Sequence, residues 1–502
     1  MPIRRAHLTP PSSHGELAAA LESLRRENEV PESFPAEVLA EAAAANPEPP
    51  PLDLRDVPFV TLDPLESRDL DQALHLEETA DGWLVRYAIA DLPGFVRPGG
   101  ALDAEARRRG QTLYLPDGKV PLHPEILSED RASLLPDQDR SAFVWTVALD
   151  ADGAAHEARV ERALVRSRAK LDYAGAQAAI DAGTAEGPLA LLPRVGELRI
   201  AQERARGGAS LNLPDEEIIR DETGYRIERR YPLQVEEWNA QLSLLVGIAA
   251  GEMMLAAKIG VLRTMPAPDP DALAEFRARV AALGRPWSED VSYGDYLRGL
   301  DRAEPETAAV LLAASGLFRG ADYVAFDGVA PQHPEQAAIA APYAHVTAPL
   351  RRLVDRWGLV VCEALCSGRE VPDWARESLP ELPELMRVSN QLAGRLGSAA
   401  LDRVEAALLR DRVGETLDAI VLEVRSSRAR VQIEDPPVTA SSPAGDLRAA
   451  ERGRVRVVRA DVGEGEIELE PADQVGADPG PDSGPGAGAD PYSDPGADSD
   501  PS

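Results

Sequence analysis

Near the start of the chain, apolar residues recur at helical spacing. Leu17, Leu21 and Leu24 fall at i, i+4 and i+7 and predict one short helix, closed by the charged run Arg25-Arg26-Glu27. A second helix is expected over 34–45, with Pro35 near its first turn, before the stiff linker Asn46-Pro47-Glu48-Pro49-Pro50-Pro51. So short a segment cannot bury a large core of its own, and it reads as a small helical module or as an arm packed on the next domain. The period then shortens to two. Residues 57–62 form an apolar run, 73–78 and 83–90 flank Asp81-Gly82, and 143–149 and 158–165 flank Asp150-Ala151-Asp152-Gly153, two hairpin signals. From Tyr173 onward helical spacing returns over 172–182, 188–206, 235–262, 270–283 and 304–316. Runs of strands followed by runs of helices point to an α+β architecture. After Arg412-Val413-Gly414, short alternating strands at 416–424, 428–433, 454–460 and 467–470 suggest a small five-stranded barrel of the OB type. The expected division is a helical module over 1–52, a large α+β domain over 53–410, the barrel over 411–473 and a tail over 474–502. The tail holds Gly, Pro, Asp, Ser and Ala and is expected to be disordered.

Charge complicates this picture. The net charge is −32, which by itself argues against a nucleic-acid partner. However, six aspartates and no basic residue lie in 474–502, and only Lys119, Lys170 and Lys258 are lysines, so nearly all the positive charge is arginine. Arginine binds phosphate bidentately and stacks on bases, so a nucleic-acid partner stays open. In the barrel, Arg428 and Arg430, and Arg454 and Arg456, lie two apart on strands and share a face, either a solvated surface or an RNA-binding one. Cys362 and Cys366, one helical turn apart, exclude a disulfide framework and read as buried thiols on an apolar helix. The most apolar stretch, 242–262, is interrupted by Gly247, Gly251, Glu252 and Lys258, and no apolar signal core follows Arg4-Arg5. A cytoplasmic protein with no membrane span is expected.

The densest chemistry is Thr61-Leu62-Asp63-Pro64-Leu65-Glu66-Ser67-Arg68-Asp69-Leu70-Asp71-Gln72-Ala73, three aspartates on a loop between two expected strands. Crowded carboxylates repel, and a divalent cation compensates them directly. Oxygen-only donors favour Mg²⁺, or Mn²⁺, over zinc. The loop lacks the glycine and the closing glutamate of an EF-hand. Taken alone, it also reads as helix caps, Asx-turns or a solvated acidic loop.

This loop resembles the acidic signature of the ribonuclease II (RNB) family, Thr-Ile-Asp, five residues, then Asp-Phe-Asp-Asp-Ala. The resemblance continues in order. Tyr87-Ala88-Ile89-Ala90-Asp91 with Phe95-Val96-Arg97-Pro98-Gly99 is similar to "HIADVSHYVRPGSALD". Thr112-Leu113-Tyr114-Leu115-Pro116 with Pro121-Leu122-His123-Pro124-Glu125 is similar to "TSVYFPDRVIPMLPEALS". Leu171-Asp172-Tyr173 is similar to "LTY", and Tyr343-Ala344-His345-Val346-Thr347-Ala348-Pro349-Leu350-Arg351-Arg352 to "YxHFTSPIRR". The resemblance implies an RNB catalytic domain with a C-terminal S1 barrel, acting as a monomeric, metal-dependent hydrolase that degrades single-stranded RNA from the 3′ end to 5′-mononucleotides. It assigns Asp63, Asp69 and Asp71 to the metal and Arg351 to the scissile phosphate. Tyr114 and Tyr173 would lie beside the terminal bases, and Glu237, in preference to Glu236, would accept a ribose hydroxyl. Several positions depart from the pattern. Gln72 stands at the fourth acidic position, its amide oxygen at best a weak ligand, Ala88 replaces a histidine and Leu353 a tyrosine. No aromatic occurs over 209–214. The chain before residue 53 also leaves no room for the family's paired cold-shock domains, so the helices over 14–46 are expected to replace them in guiding RNA. These departures keep a second reading in view, an RNA-binding protein that retains the fold with impaired catalysis.

Overall fold

The computed structural model describes residues 15–472, apart from 210, 212–214, 222–223 and 302–303. The tail over 474–502 and most of the stretch expected to hold a base-clamping aromatic lie outside the described residues.

The centre is a mixed sheet in the order Leu52–Asp53, Ala155–Asp172, Phe59–Asp63, Gln72–Thr79, Gly82–Ala90, Asp139–Asp150. The long strand Ala155–Asp172 pairs with Asp139–Asp150 from Ala155 to Arg166 and with Phe59–Asp63 from Ser167 to Asp172, so the sheet curls round upon it. Both expected hairpins form, with Gly82 at φ +152° and Gly153 at φ +79°, backbone conformations that glycine adopts without a Cβ clash. Trp145, Tyr87, Phe143 and Ile89 are buried on one side of the sheet against the helix Gln234–Ala257 and its neighbours. That helix is apolar and long enough to cross a bilayer by length and composition, but most of it is buried in the core.

The helical expectation over 235–262 runs too far. Lys258, at φ +58°, ends the helix in the left-handed region, and Ile259–Thr264 then becomes a strand paired with Asp322–Asp327. Alternating Ile259, Val261 and Arg263 suit a strand, and periodicity alone does not separate a short apolar strand from the end of an apolar helix. The two cysteines also part company: Cys362 is buried, whereas Cys366 is exposed.

The N-terminal helices Gly15–Glu27 and Ala36–Ala44 do not form a separate core. Leu17, Leu21 and Leu24 pack against Leu113, Leu115 and Val120 of a small hairpin and against Leu396, Leu401 and Val404 of the helix Leu382–Arg410. Each leucine so buried contributes about 1.5–3 kcal/mol of apolar transfer. Glu41 then accepts from the N–H of Ala101, 2.6 Å away, at the start of the helix Ala101–Arg109.

The C-terminal barrel is antiparallel in the order Thr439–Pro443, Arg428–Ile433, Thr416–Arg425, Arg452–Asp461, Glu466–Pro471, nearly closed around Val421, Val431, Val455 and Val457. It sits on the end of Leu382–Arg410 through Leu409, and Glu423 pairs with Arg279 of the helix Pro270–Ala282 at 2.6 Å.

Candidate active site

Asp63 ends its strand opposite Asp172 in parallel register, so Asp63 and Tyr173, the residue after Asp172, leave the sheet side by side. The loop over 64–71 then folds back. Leu70 is fully buried, its N–H donates to Ser133 Oγ at 3.0 Å and its carbonyl accepts from Leu134 N at 3.0 Å. With Leu70 turned inward, Asp69 and Asp71 on either side of it face one cavity of about 240 Å³, which Asp63, Arg351, Tyr114 and Tyr173 also line.

Asp71 is 4% exposed. Leu350 N donates to its Oδ1 at 2.8 Å, and Arg351 Nε lies 3.5 Å from its Oδ2. Burial pushes the Asp71 carboxyl up to about 8 against the pull of Arg351 and Leu350, and the charge on Asp69 adds to the rise. Arg351 is held from beneath: Asp355 accepts from Ala348 N at 2.7 Å and pairs with Arg352, and the Arg351 carbonyl accepts from Thr112 N at 3.0 Å. Burial disfavours charge on Arg351, but Asp71, Tyr114 and Asp69 together outweigh it and hold the guanidinium pKa above its usual value.

The facing wall is the hairpin of Leu113–Leu115 and Gly118–Val120. Tyr114 donates to Asp69 Oδ2 at 3.4 Å, and Lys119 Nζ lies 3.4 Å from Asp69 Oδ1 and 2.8 Å from Glu129. Burial opposes the charge on Lys119, yet Asp69 and Glu129 keep its pKa raised. Sequence reasoning missed Lys119, as it missed Asn239, which reaches the cavity from Gln234–Ala257. The rarity of lysine in this chain was the available signal.

Gln72 lines the cavity, but its amide is spoken for. Nε2 donates to the Thr347 carbonyl at 2.7 Å, and Oε1 accepts from the Tyr87 hydroxyl at 2.5 Å. The oxygen expected to be at best a weak ligand therefore already accepts one hydrogen bond. Glu236 caps its own helix and pairs with Arg230, while Glu237 lines a different cavity of about 490 Å³ beside Gln241 and Arg298. Neither glutamate lines the aspartate cavity. In the barrel, Arg454 pairs with Asp418 at 3.7 Å, Arg456 pairs with Glu470, and Arg428 donates to Ser441 Oγ at 3.1 Å.

Among the described residues, no three carboxylate, imidazole or thiol groups converge into a metal cage. Magnesium does not require one: it keeps several waters and is commonly held by one or two carboxylates together with substrate phosphates. An open cavity whose possible metal donors are all oxygens, the carboxylates of Asp63, Asp69 and Asp71 among them, fits a hard divalent ion of that kind.

Comparison with known proteins agrees with this geometry. Ribonuclease R of Escherichia coli (strain K12) is 29% identical over 357 residues, 67% of this chain and 43% of that protein. The chain spans about half the length of the curated relatives it matches. Among solved structures, Mycoplasma genitalium RNase R in complex with ribose-methylated single-stranded RNA has the same fold, with a TM-score of 0.82 at 17% identity over 92% of this chain and 79% of that one. Yeast Ssd1, a pseudonuclease, also shares it, with a TM-score of 0.67 at 15% identity over 87% and 57%. The RNase II-type exonuclease C-terminal S1 domain matches residues 415–472. With the RNB domain matched over residues 52–361, this chain belongs to the RNB family of exoribonucleases.

Proposed function

We propose that the chain is an active 3′→5′ exoribonuclease that hydrolyses single-stranded RNA to 5′-mononucleotides with Mg²⁺, or Mn²⁺, working as a cytoplasmic monomer. The observation that carries this reading is the meeting of Asp63, Asp69, Asp71 and Arg351 in one cavity walled by Tyr114 and Tyr173. Clustered negative charge opposes phosphate binding, so a site built only to hold RNA gains nothing from three aspartates. When bound, a divalent ion neutralises charge on the phosphate and lowers the pKa of water. Asp63, Asp69 and Asp71 would hold it. Arg351, anchored by its backbone to Thr112 and by its side chain to Asp71, presents a fixed guanidinium to the charge that develops on the phosphate. Tyr114 and Tyr173 offer aromatic faces, which accept any base.

Gln72 favours the second reading, an RNA-binding protein of impaired catalysis. The fourth acidic position is neutral, and its amide nitrogen and oxygen each make a hydrogen bond within the protein. The pseudonuclease among the fold relatives shows that this architecture tolerates loss of activity. Incubation of 5′-end-labelled RNA with the protein and Mg²⁺ separates the two. A ladder shortening one nucleotide at a time supports the exonuclease. Retained RNA with a stable complex supports the binding protein.

A further inference from the structure

The helix Gln234–Ala257 turns different faces to the two cavities. Glu237, Gln241 and Leu244 line the larger one, whereas Asn239 lines the one that holds the aspartates. Two residues along a helix are about 200° of rotation, so the phase that brings Asn239 to the aspartates takes Glu237 away from them. Ser243, one turn on from Asn239, shares its face, and its Oγ lies 2.9 Å from Thr347 Oγ1, on the loop that carries Arg351. Asn239 reaches the other wall: its Nδ2 lies 3.5 Å from the carbonyl of Leu62, the residue before Asp63, at the limit of a hydrogen bond. This face of the helix is therefore fixed between the strand that ends in Asp63 and the loop that carries Arg351. Asn239 is half-buried, and its Oδ1 accepts no hydrogen bond among the described residues. Of the cavity's two amides, Gln72 has a partner at each end, while Asn239 keeps an open acceptor and a loosely held donor.

We infer that Asn239 is the residue by which the cavity tells ribose from deoxyribose, its amide bonding the 2′-hydroxyl of a nucleotide beside the scissile phosphate. This rests on the proposed RNA substrate. An ionised carboxylate only accepts and a guanidinium only donates, and in the proposed reaction the aspartates and Arg351 serve the metal and the phosphate. A 2′-hydroxyl both donates and accepts, and it is the group that separates RNA from DNA. A neutral amide answers both of its functions at once. The contact brings no charge near the metal-binding carboxylates, which a glutamate in the same place would do.

The test is binding of short single strands by Asn239→Ala and, separately, by Glu237→Ala, each built on Asp71→Asn to block cleavage. The strands are all-ribose, all-deoxyribose, or carry one deoxyribose at the last or the last-but-one position. Asn239→Ala should lower the ratio of ribose to deoxyribose affinity about three- to tenfold, the range of one or two neutral hydrogen bonds. The loss should fall on ribose strands, leave the all-deoxyribose strand unchanged, and vanish when one of the two single deoxyribose positions is already in place. Glu237→Ala should leave the ratio where it was. An unmoved ratio in Asn239→Ala overturns the inference, and so does a shift in Glu237→Ala alone. Equal weakening of ribose and deoxyribose strands also overturns it, since the amide would then be holding Leu62 or touching a base. Binding and degradation of RNA by the protein with Asn239 intact are scored separately. If RNA is bound or degraded while the ratio does not move, the role of Asn239 alone fails; if no RNA is bound at all, the proposed substrate fails and this inference with it.

Discussion

Arg25, on the first helix, and Asp117, at the turn of the hairpin that carries Tyr114 and Lys119, form an ion pair at 2.6 Å, both largely screened from solvent. The leucines of the same helix pack beneath that hairpin at Leu113, Leu115 and Val120. The N-terminal segment therefore sets the position of the wall that faces the aspartates. Arg25→Ala should lower kcat/KM on a short RNA several-fold, a loss on the order of 1 kcal/mol, and Arg25→Lys should recover part of it. Equal kinetics for Arg25→Ala and the unmodified protein would mean that the hairpin holds its place unaided.

Asp71→Asn should reduce kcat by at least about a hundredfold while leaving RNA affinity equal or higher. Asparagine keeps an oxygen for the Leu350 N–H, so the loop over 347–352 should hold, and only the charge is removed. Single-turnover kinetics beside equilibrium binding check this. Near-normal turnover would remove Asp71 from the chemistry.

Gln72→Asp adds a carboxylate and withdraws the donor to Thr347. The concentration of Mg²⁺ giving half-maximal activity should fall, because one more anionic oxygen faces the cavity. A calorimetric Mn²⁺ titration gives the same comparison without turnover. No change in either would show that this position lies outside the reach of the ion.

The aspartate loop was legible because its information is local. A strand end, an inward leucine and two flanking aspartates suffice to bring Asp63, Asp69 and Asp71 to one side. Arg351 needed the resemblance, since its partner Asp71 lies far away in the sequence. Lys119 and Asn239 were not legible, because their roles depend on how the hairpin and the helix Gln234–Ala257 are docked. The side on which Glu237 falls depends on helix phase, which a pair of adjacent glutamates leaves open. The barrel arginines were placed on the correct strands, but the acids opposite them, Asp418 and Glu470, come from neighbouring strands whose register the pattern did not give.

His123 gives a prediction about pH. It is 2% exposed, and its Nδ1 is buried without a hydrogen bond. Burial first, then Arg356 and Arg109, push its pKa down from 6.5 to about 3. The folded protein thus keeps the ring neutral while the unfolded chain protonates it below its ordinary pKa. This contribution to stability is complete above about pH 6.5 and is lost as the pH falls toward 3, at up to about 1.4 kcal/mol per pH unit. His123→Phe should flatten the dependence of stability on pH in that window, as read by urea unfolding. An unaltered dependence would show that other groups govern acid unfolding.

The last prediction concerns the barrel. Removing it would expose Leu409 and break the Arg279–Glu423 pair, so substitution is the cleaner test. If all four arginines met phosphates, their loss would lower the salt slope by about 0.7 each. Arg454 and Arg456 already face Asp418 and Glu470, and a phosphate would have to displace those acids. Arg428 and Arg430 have no ion pair among the described residues, and Arg428 bonds only the neutral Ser441 hydroxyl. Arg428→Gln/Arg430→Gln, on Asp71→Asn, should therefore lower the slope for a long single strand by about 1.4, and Arg454→Gln/Arg456→Gln by much less. Freed of Arg454 and Arg456, Asp418 and Glu470 would repel RNA, so the second pair should still weaken binding modestly at low salt. Salt titrations of the two double variants decide between them. Equal slopes for both and for the parent would make the whole arginine face a solvated surface, with RNA held by the catalytic domain alone.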